Sequence, residues 1–138
     1  MPDMREINPS VISEYRATAG KLSGPMAGLP VLLLTTTGRR SGKPHITPLG
    51  FATDGDRLFV AAANGGAASD PDWFRNLVTA AEVVVELGAE RFSATAAVVA
   101  SHSRARLWEQ LASALPGMAE YPRISGRTIA VIALTREG

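Results

Sequence analysis

Apolar residues recur at helical spacing at Val11, Ile12, Tyr15 and Ala19, behind Asn8-Pro9. This predicts a helix capped by the asparagine, with proline in its first position and Gly20 at its close. Residues 20–28 hold three glycines and a proline and predict an ordered loop. Residues 31–37, apolar and then threonine, predict a buried strand. A turn over residues 38–43 leads to a second strand at 45–53, and Asp54-Gly55 marks a hairpin into a third at 57–63. Asn64-Gly65-Gly66 follows the third strand. Asp70-Pro71-Asp72 is expected to cap a helix with apolar positions Trp73, Phe74, Leu77 and Val78, its acids complementing the helix dipole. Strands at 82–87 and 91–100 flank a turn near Gly88-Ala89-Glu90. A helix at 104–115 gathers Leu107, Trp108, Leu111, Ala112 and Leu115 on one side, Pro116-Gly117 stops it, and 128–134 is the last strand.

Six mostly antiparallel strands with helices among them predict an α+β chain built on a small barrel with helical additions. A doubly wound parallel sheet is disfavoured, because the second and third strands join by a tight turn. The 138 residues suit one domain, 1–138, in which 1–28 form the N-terminal helix and loop. At 46% hydrophobic residues the chain can bury a sizeable core. Charge adds little: 14 Lys+Arg against 13 Asp+Glu create no global field for nucleic acid or membrane, and neither partner is expected. Cysteine is absent and there are two histidines, His45 and His102, so no metal site is expected. No apolar run reaches the roughly 18–20 residues of a membrane span, and the opening residues lack a signal layout. A soluble, cytoplasmic chain is therefore expected.

Candidate chemistry concentrates in Thr35-Thr36-Thr37-Gly38-Arg39-Arg40-Ser41-Gly42-Lys43-Pro44-His45, where three cations, several hydroxyls and two glycines crowd a turn without an acid. Backbone N–H groups, hydroxyls and guanidinium forks could converge there on one anion, and a solvated hairpin would have the same composition. It is not a phosphate-binding P-loop: Gly38 and Gly42 enclose three residues, and Lys43 precedes proline. The chain contains neither G-x-G-x-x-G nor G-x-S-x-G. The glycines after Asn64 allow close backbone approach to a ligand, or simply make a turn. Trp73 suits the core as readily as a cofactor wall, and Asn76, on the same helix side, is polar beside an apolar stripe. His102 is expected to be an exposed helix-end residue, whereas His45 stands in the cationic turn, where its protonated form could contact an anion. Tyr121, after the Pro116-Gly117 break, could orient a substrate or deliver a proton, or cap a surface turn.

Taken in order, Leu33-Leu34-Thr35-Thr36-Thr37-Gly38-Arg39-Arg40-Ser41-Gly42-Lys43-Pro44, then Asn64-Gly65-Gly66, then Pro71-Asp72-Trp73-Phe74-Arg75-Asn76-Leu77 resemble the deazaflavin-dependent nitroreductase family of actinobacteria. The likeness runs from Asn8 to Leu134. It implies a split β-barrel that binds coenzyme F420, a deazaflavin with a phosphate and oligoglutamate tail. It also implies hydride transfer from the reduced cofactor to a small electron-poor acceptor such as a quinone, an enone or lactone, or a nitro compound. A non-catalytic F420 carrier and an FMN-dependent split-barrel oxidoreductase are the alternatives. The resemblance implies that Thr37, Arg39, Arg40, Ser41, Gly42, Lys43, His45, Thr47 and Pro48 bind the cofactor, with its tail at the turn from Arg39 to His45. Ala62, Ala63, Asn64, Gly65, Gly66, Trp73 and Asn76 would then surround the ring, and Tyr121 would be the catalytic hydroxyl. The chain departs from the family pattern at His45, where a cation is common, and at Ala63, where serine is usual. Ser69-Asp70 precede Pro71 where a lysine is usual, and Leu115 and Met118 stand where relatives carry tyrosines. A more apolar acceptor pocket is expected from that last difference, and the chain should be a monomer or homodimer.

Overall fold

The computed structural model describes residues 4–55, 57–63, 69–115 and 117–137, with backbone alone for residues 4–8 and 25. Helix α1 (Met4–Thr18) precedes strands β1 (Val31–Thr37), β2 (Pro44–Gly50), β3 (Ala52–Asp54) and β4 (Arg57–Ala61). Helix α2 (Asp72–Thr79), β5 (Glu82–Leu87), β6 (Glu90–Val98), α3 (Ser101–Ala114), α4 (Tyr121–Ser125) and β7 (Val131–Arg136) complete the order. Among the described residues, no helix is long and apolar enough to cross a membrane.

All strand pairs are antiparallel, in the order β2-β1-β5-β6-β7-β4-β3. The two outer strands, β2 and β3, are consecutive in the chain and separated by Phe51 alone. A flat seven-stranded sheet would hold its edges roughly 29 Å apart, given about 4.8 Å between strands. The sheet must therefore curl until the end of β2 meets the start of β3, which is the split-barrel form. The predicted single strand at 45–53 is thus two strands on opposite edges. The break falls where the chain turns this corner: the Phe51 N–H leaves the ladder and donates to the Pro30 carbonyl at 3.1 Å. Gly50 is needed there, because an added Cβ would stand 2.6 and 2.7 Å from the Leu115 methyl carbons.

Alternation along each strand decides what it buries. Leu32 and Leu34 of β1, Leu58, Val60 and Ala62 at β4, and Ile132 and Leu134 of β7 pack inward with Trp73 and Leu77 of α2. Their neighbours point the other way: Val31 and Leu33 pack under Tyr15 of α1, while Phe59, Ala61, Ala63, Val131 and Ala133 pack under Leu107 and Leu111 of α3. Strands covered on both faces read as continuous apolar runs, which is why 31–34 and 58–63 stand out in the sequence. Tyr15 fixes α1 to the sheet, its hydroxyl donating to the Val31 carbonyl at 2.9 Å and accepting the Gly88 N–H at 2.8 Å. Burial raises this phenol above the usual tyrosine range, against the effect of the Gly88 bond.

Several boundaries differ from the sequence expectation. Helix α1 begins at Met4, so Pro9 is an interior residue and not the predicted first one. Its fixed φ is compatible with helix, at the loss of one backbone N–H donor. The 20–28 loop contains a single 3-10 turn, Gly24–Met26. Strand β7 starts at Val131 and not at residue 128, β6 spans Glu90–Val98, and α3 begins at Ser101. No side chain caps α2: Pro71 is its N-cap, and its carbonyl accepts the Phe74 and Arg75 N–H groups. Val78 is 57% exposed and does not belong to the α2 core stripe, whose third buried member is Asn76. Short α4, with proline in its first turn, and the 3-10 turn Met118–Glu120 were not anticipated.

Candidate functional site

The β1–β2 turn is locked from within. The Gly38 N–H donates to the Lys43 carbonyl at 2.8 Å, the Gly42 N–H donates to the Gly38 carbonyl at 2.9 Å, and Gly42 has φ +71°. Ser41 Oγ accepts the Lys43 N–H at 3.1 Å. A Cβ added at Gly38 would stand 2.6 Å from Ser41 Oγ and 2.7 Å from His45 Nε2, so these two exposed side chains would have to move. Ser41 and His45 therefore close over the same glycine.

The turn is then pinned to α2. Asn76, 4% exposed, accepts the Arg39 N–H at 3.2 Å and Arg39 Nη1–H at 2.8 Å through Oδ1. Its Nδ2 donates to Thr36 Oγ1 at 3.3 Å. Arg39 also pairs with the exposed Asp72 at 3.3 Å. The polar residue inside the apolar stripe of α2 thus serves the arginine turn, while Asp72 answers one of its three cations. Arg40 and Lys43 are exposed and form no ion pair among the described residues.

This arrangement walls a cavity of about 550 Å³, lined by Gly38, Arg39, Arg40, Ser41, His45, Ile46 and Thr47, by Asp72, Trp73 and Asn76, and by Pro9 and Ile12 of α1. Trp73 reaches both ways: it faces this cavity and belongs to the inner core with Ala62. Thr37 is exposed at the end of β1, Gly42 and Lys43 form the outer side of the turn, and Pro48 is buried opposite Leu33. A larger cavity of about 730 Å³ lies between β3 and α3, lined by Phe51, Thr53, Arg106 and Gln110 among others. Its arginine, Arg106, is bound to Asp54 at 2.9 Å, and it holds none of the expected residues. The cation-walled cavity is therefore the better anion site, despite its smaller volume.

At the end of β4, Ala62 and Ala63 are buried, and the Ala62 N–H donates to the Ala130 carbonyl at 2.9 Å. Asn64, Gly65 and Gly66 lie outside the described residues. Half-buried Tyr121 does not line the cation-walled cavity; it packs against the cluster that contains Ala61 and Ala63. Leu115 and Met118 belong to that cluster too and are buried, so the structure makes them core residues and neither lines either cavity. His102 is exposed at the start of α3. No group of three or more metal-ligating side chains stands together among the described residues.

Sequence reasoning missed Arg127. Its Nη1 donates to Asp70 Oδ1 at 2.9 Å, and Nη2 faces the carbonyls of Ala62 at 2.9 Å, Ser69 at 3.1 Å and Ala63 at 3.2 Å. A single arginine between Gly126 and Thr128 gives no spacing signal, and its partners lie 57 to 65 residues away. Pro9 and Ile12 were missed as cavity walls for the same reason.

Comparison with known proteins shows the family and the fold. Residues 9–136 match the family described as F420H2-dependent quinone reductase. An F420H2-dependent quinone reductase of Mycobacterium tuberculosis is 36% identical over 126 residues, covering 88% of this chain and 85% of the relative. A solved F420H2-dependent reductase superposes with a TM-score of 0.70 at 30% identity, over 76% of this chain and 93% of that one. A solved chain described as a domain-swapped dimer gives 0.72 at 29% identity, over 94% and 95%. The resemblance to deazaflavin-dependent nitroreductases is met by relatives named for quinone reduction, and the chain belongs to the F420H2-dependent quinone reductase family.

Proposed function

We propose that this chain is an F420H2-dependent reductase that passes hydride to a quinone, with enones, lactones and nitro compounds as further acceptors. The observation that carries the reading is the pair of unanswered cations, Arg40 and Lys43, on a turn whose third cation is fixed by Asn76 and Asp72. A phosphate and carboxylate tail is the complement of that surface. The family relationship favours this reading over a non-catalytic carrier or an FMN enzyme.

In this proposal Arg40, Lys43 and His45 contact the tail, with the Ser41 hydroxyl and the turn backbone around it. Thr37, Gly42, Thr47 and Pro48 shape the turn and the strand beneath. Arg39 and Asn76 hold the turn against α2. Trp73, Ala62 and Ala63 bound the ring, and Asn64, Gly65 and Gly66 enter on sequence alone. The reduced deazaflavin, when bound, supplies the hydride. The chain's own part is to orient the acceptor, and Tyr121 donates the proton that accompanies hydride arrival at a quinone oxygen or conjugated carbon. The proposal includes a cytoplasmic location and one domain over 1–138. The domain-swapped relative supports a homodimer over a monomer, which sedimentation decides.

Mixing the protein with F420H2 and a panel of quinones, enones and nitro compounds tests the activity. Catalytic reoxidation with a quinone is expected. F420H2 that binds and is never oxidised across the panel would make the protein a carrier.

A further inference from the structure

We propose that Arg127 is a positioning residue for the ring side of the site; the inference rests on the F420 reading above. The residue comes from the segment between α4 and β7, just after Gly126 (φ +69°) closes α4. Ser125 Oγ accepts the Arg127 N–H at 3.3 Å. Its guanidinium then joins two stretches of chain that have no sequence connection to it. On one side are the carbonyls of Ala62 and Ala63 at the end of β4. On the other are the Ser69 carbonyl and the Asp70 carboxylate, which immediately precede Pro71, the N-cap of α2.

The consequence is geometric. Helix α2 carries Asp72, Trp73 and Asn76, so the arginine that fixes the start of α2 against β4 also fixes Trp73 relative to Ala62, its inner-core partner. The peptide joining Ala62 to Ala63 is trans, so with its carbonyl turned to Arg127 its N–H points the opposite way. Among the described residues no acceptor meets that N–H, although Ala63 is only 4% exposed. Arg127 thus holds a backbone donor with its face turned away from the guanidinium, at the strand end that the proposal places beside the deazaflavin. A lysine cannot substitute: its ammonium is a point donor, whereas the planar fork reaches acceptors on both stretches at once.

The test compares F420 affinity, thermal midpoint and acceptor kinetics in the wild type, Arg127→Lys and Arg127→Ala. If the wild type fails to bind F420, the parent reading fails and not this one. If it binds, both variants should bind F420 about tenfold or more weakly, the fold-change typical of a lost charge-assisted hydrogen bond. Acceptor KM should stay within twofold of the wild type. Millimolar guanidinium should restore affinity to Arg127→Ala and leave the wild type unchanged, a response that general loss of stability does not give. Should Arg127→Ala not fold, Arg127→Lys decides alone, with weaker F420 binding at unchanged acceptor KM as the supporting result. Unchanged affinity in a folded variant, failure of guanidinium to restore a folded Arg127→Ala, or collapse of both variants would overturn the proposal and leave Arg127 a structural tie.

Discussion

At the turn of residues 38–43 the backbone and one cation are set by polar partners, Arg39 by Asn76 and Asp72, the Lys43 N–H by Ser41 and the Gly42 N–H by the Gly38 carbonyl, while the Arg40 and Lys43 side chains stay exposed. At the end of β4 the packed side chains are apolar, and Arg127 meets the Ala62 and Ala63 carbonyls. Ala62 is buried in the cluster of Trp73 and Ala63 in that of Leu115 and Met118, against which half-buried Tyr121 packs. In the proposed function the first region holds the charged tail and the second bounds the ring. In this account, affinity and chemistry are therefore separable by mutation: changes at the turn act on binding, changes at Tyr121 on the rate.

The sharpest break between the regions is expected at Tyr121. A general-acid role is typically worth about 10²–10⁴ in rate. Single-turnover oxidation of bound F420H2 by a quinone should slow by that order in Tyr121→Phe, at nearly unchanged F420 affinity. An equal rate would make the residue a wall. Asn76→Ala should act the other way. It leaves the Arg39 N–H and Thr36 hydroxyl without their partner, at about 1–3 kcal/mol per unsatisfied group. Binding titrations should show weaker F420 affinity with the bound-state rate preserved; a lost rate at intact affinity would reverse the assignment of the two regions.

A remote control gives the smallest effect. Arg16 grips Glu86 in a fork of 2.9 and 2.8 Å, neither residue lining either cavity, and lowers the carboxyl below its usual range against the opposing effect of burial. A depressed folded pKa means that the stabilisation is complete above the unfolded carboxylate value and is lost as pH falls through the folded one. Arg16 is half exposed, so the pair is worth no more than about 1 kcal/mol. Denaturation of Glu86→Gln should show that loss at neutral pH and none in strong acid, with both F420 affinity and rate unaltered.

What was legible in the sequence follows the same division. The strands, their antiparallel pairing and the cationic turn lie in contiguous residues with local periodicity, and 31–37 and 82–87 match their observed bounds. The strand at 45–53 was misread because nothing local reveals that Phe51 crosses from one sheet edge to the other; only closure of the barrel does. Asn76 could be singled out as a polar residue in an apolar stripe, whereas its partner could not, since a contact 37 residues away leaves no pattern. Arg127 is the extreme case, an isolated cation whose acceptors are mostly backbone carbonyls and so carry no sequence signal at all. Leu115 and Met118, read from the sequence as apolar residues at and after the helix end, are buried in the core under α3, a placement that no local pattern reveals.

The central claim is that the cation-walled turn holds the anionic tail of F420. The most direct test titrates wild type and Arg40→Ala with F420 and with the same deazaflavin chromophore lacking phosphate and glutamates, at low and high salt. The account predicts that Arg40→Ala loses about 1–3 kcal/mol toward F420, the worth of a charge-assisted hydrogen bond. It also predicts that salt weakens F420 binding, and that neither change touches the tail-less chromophore. Equal losses for both ligands, or none for either, would contradict it.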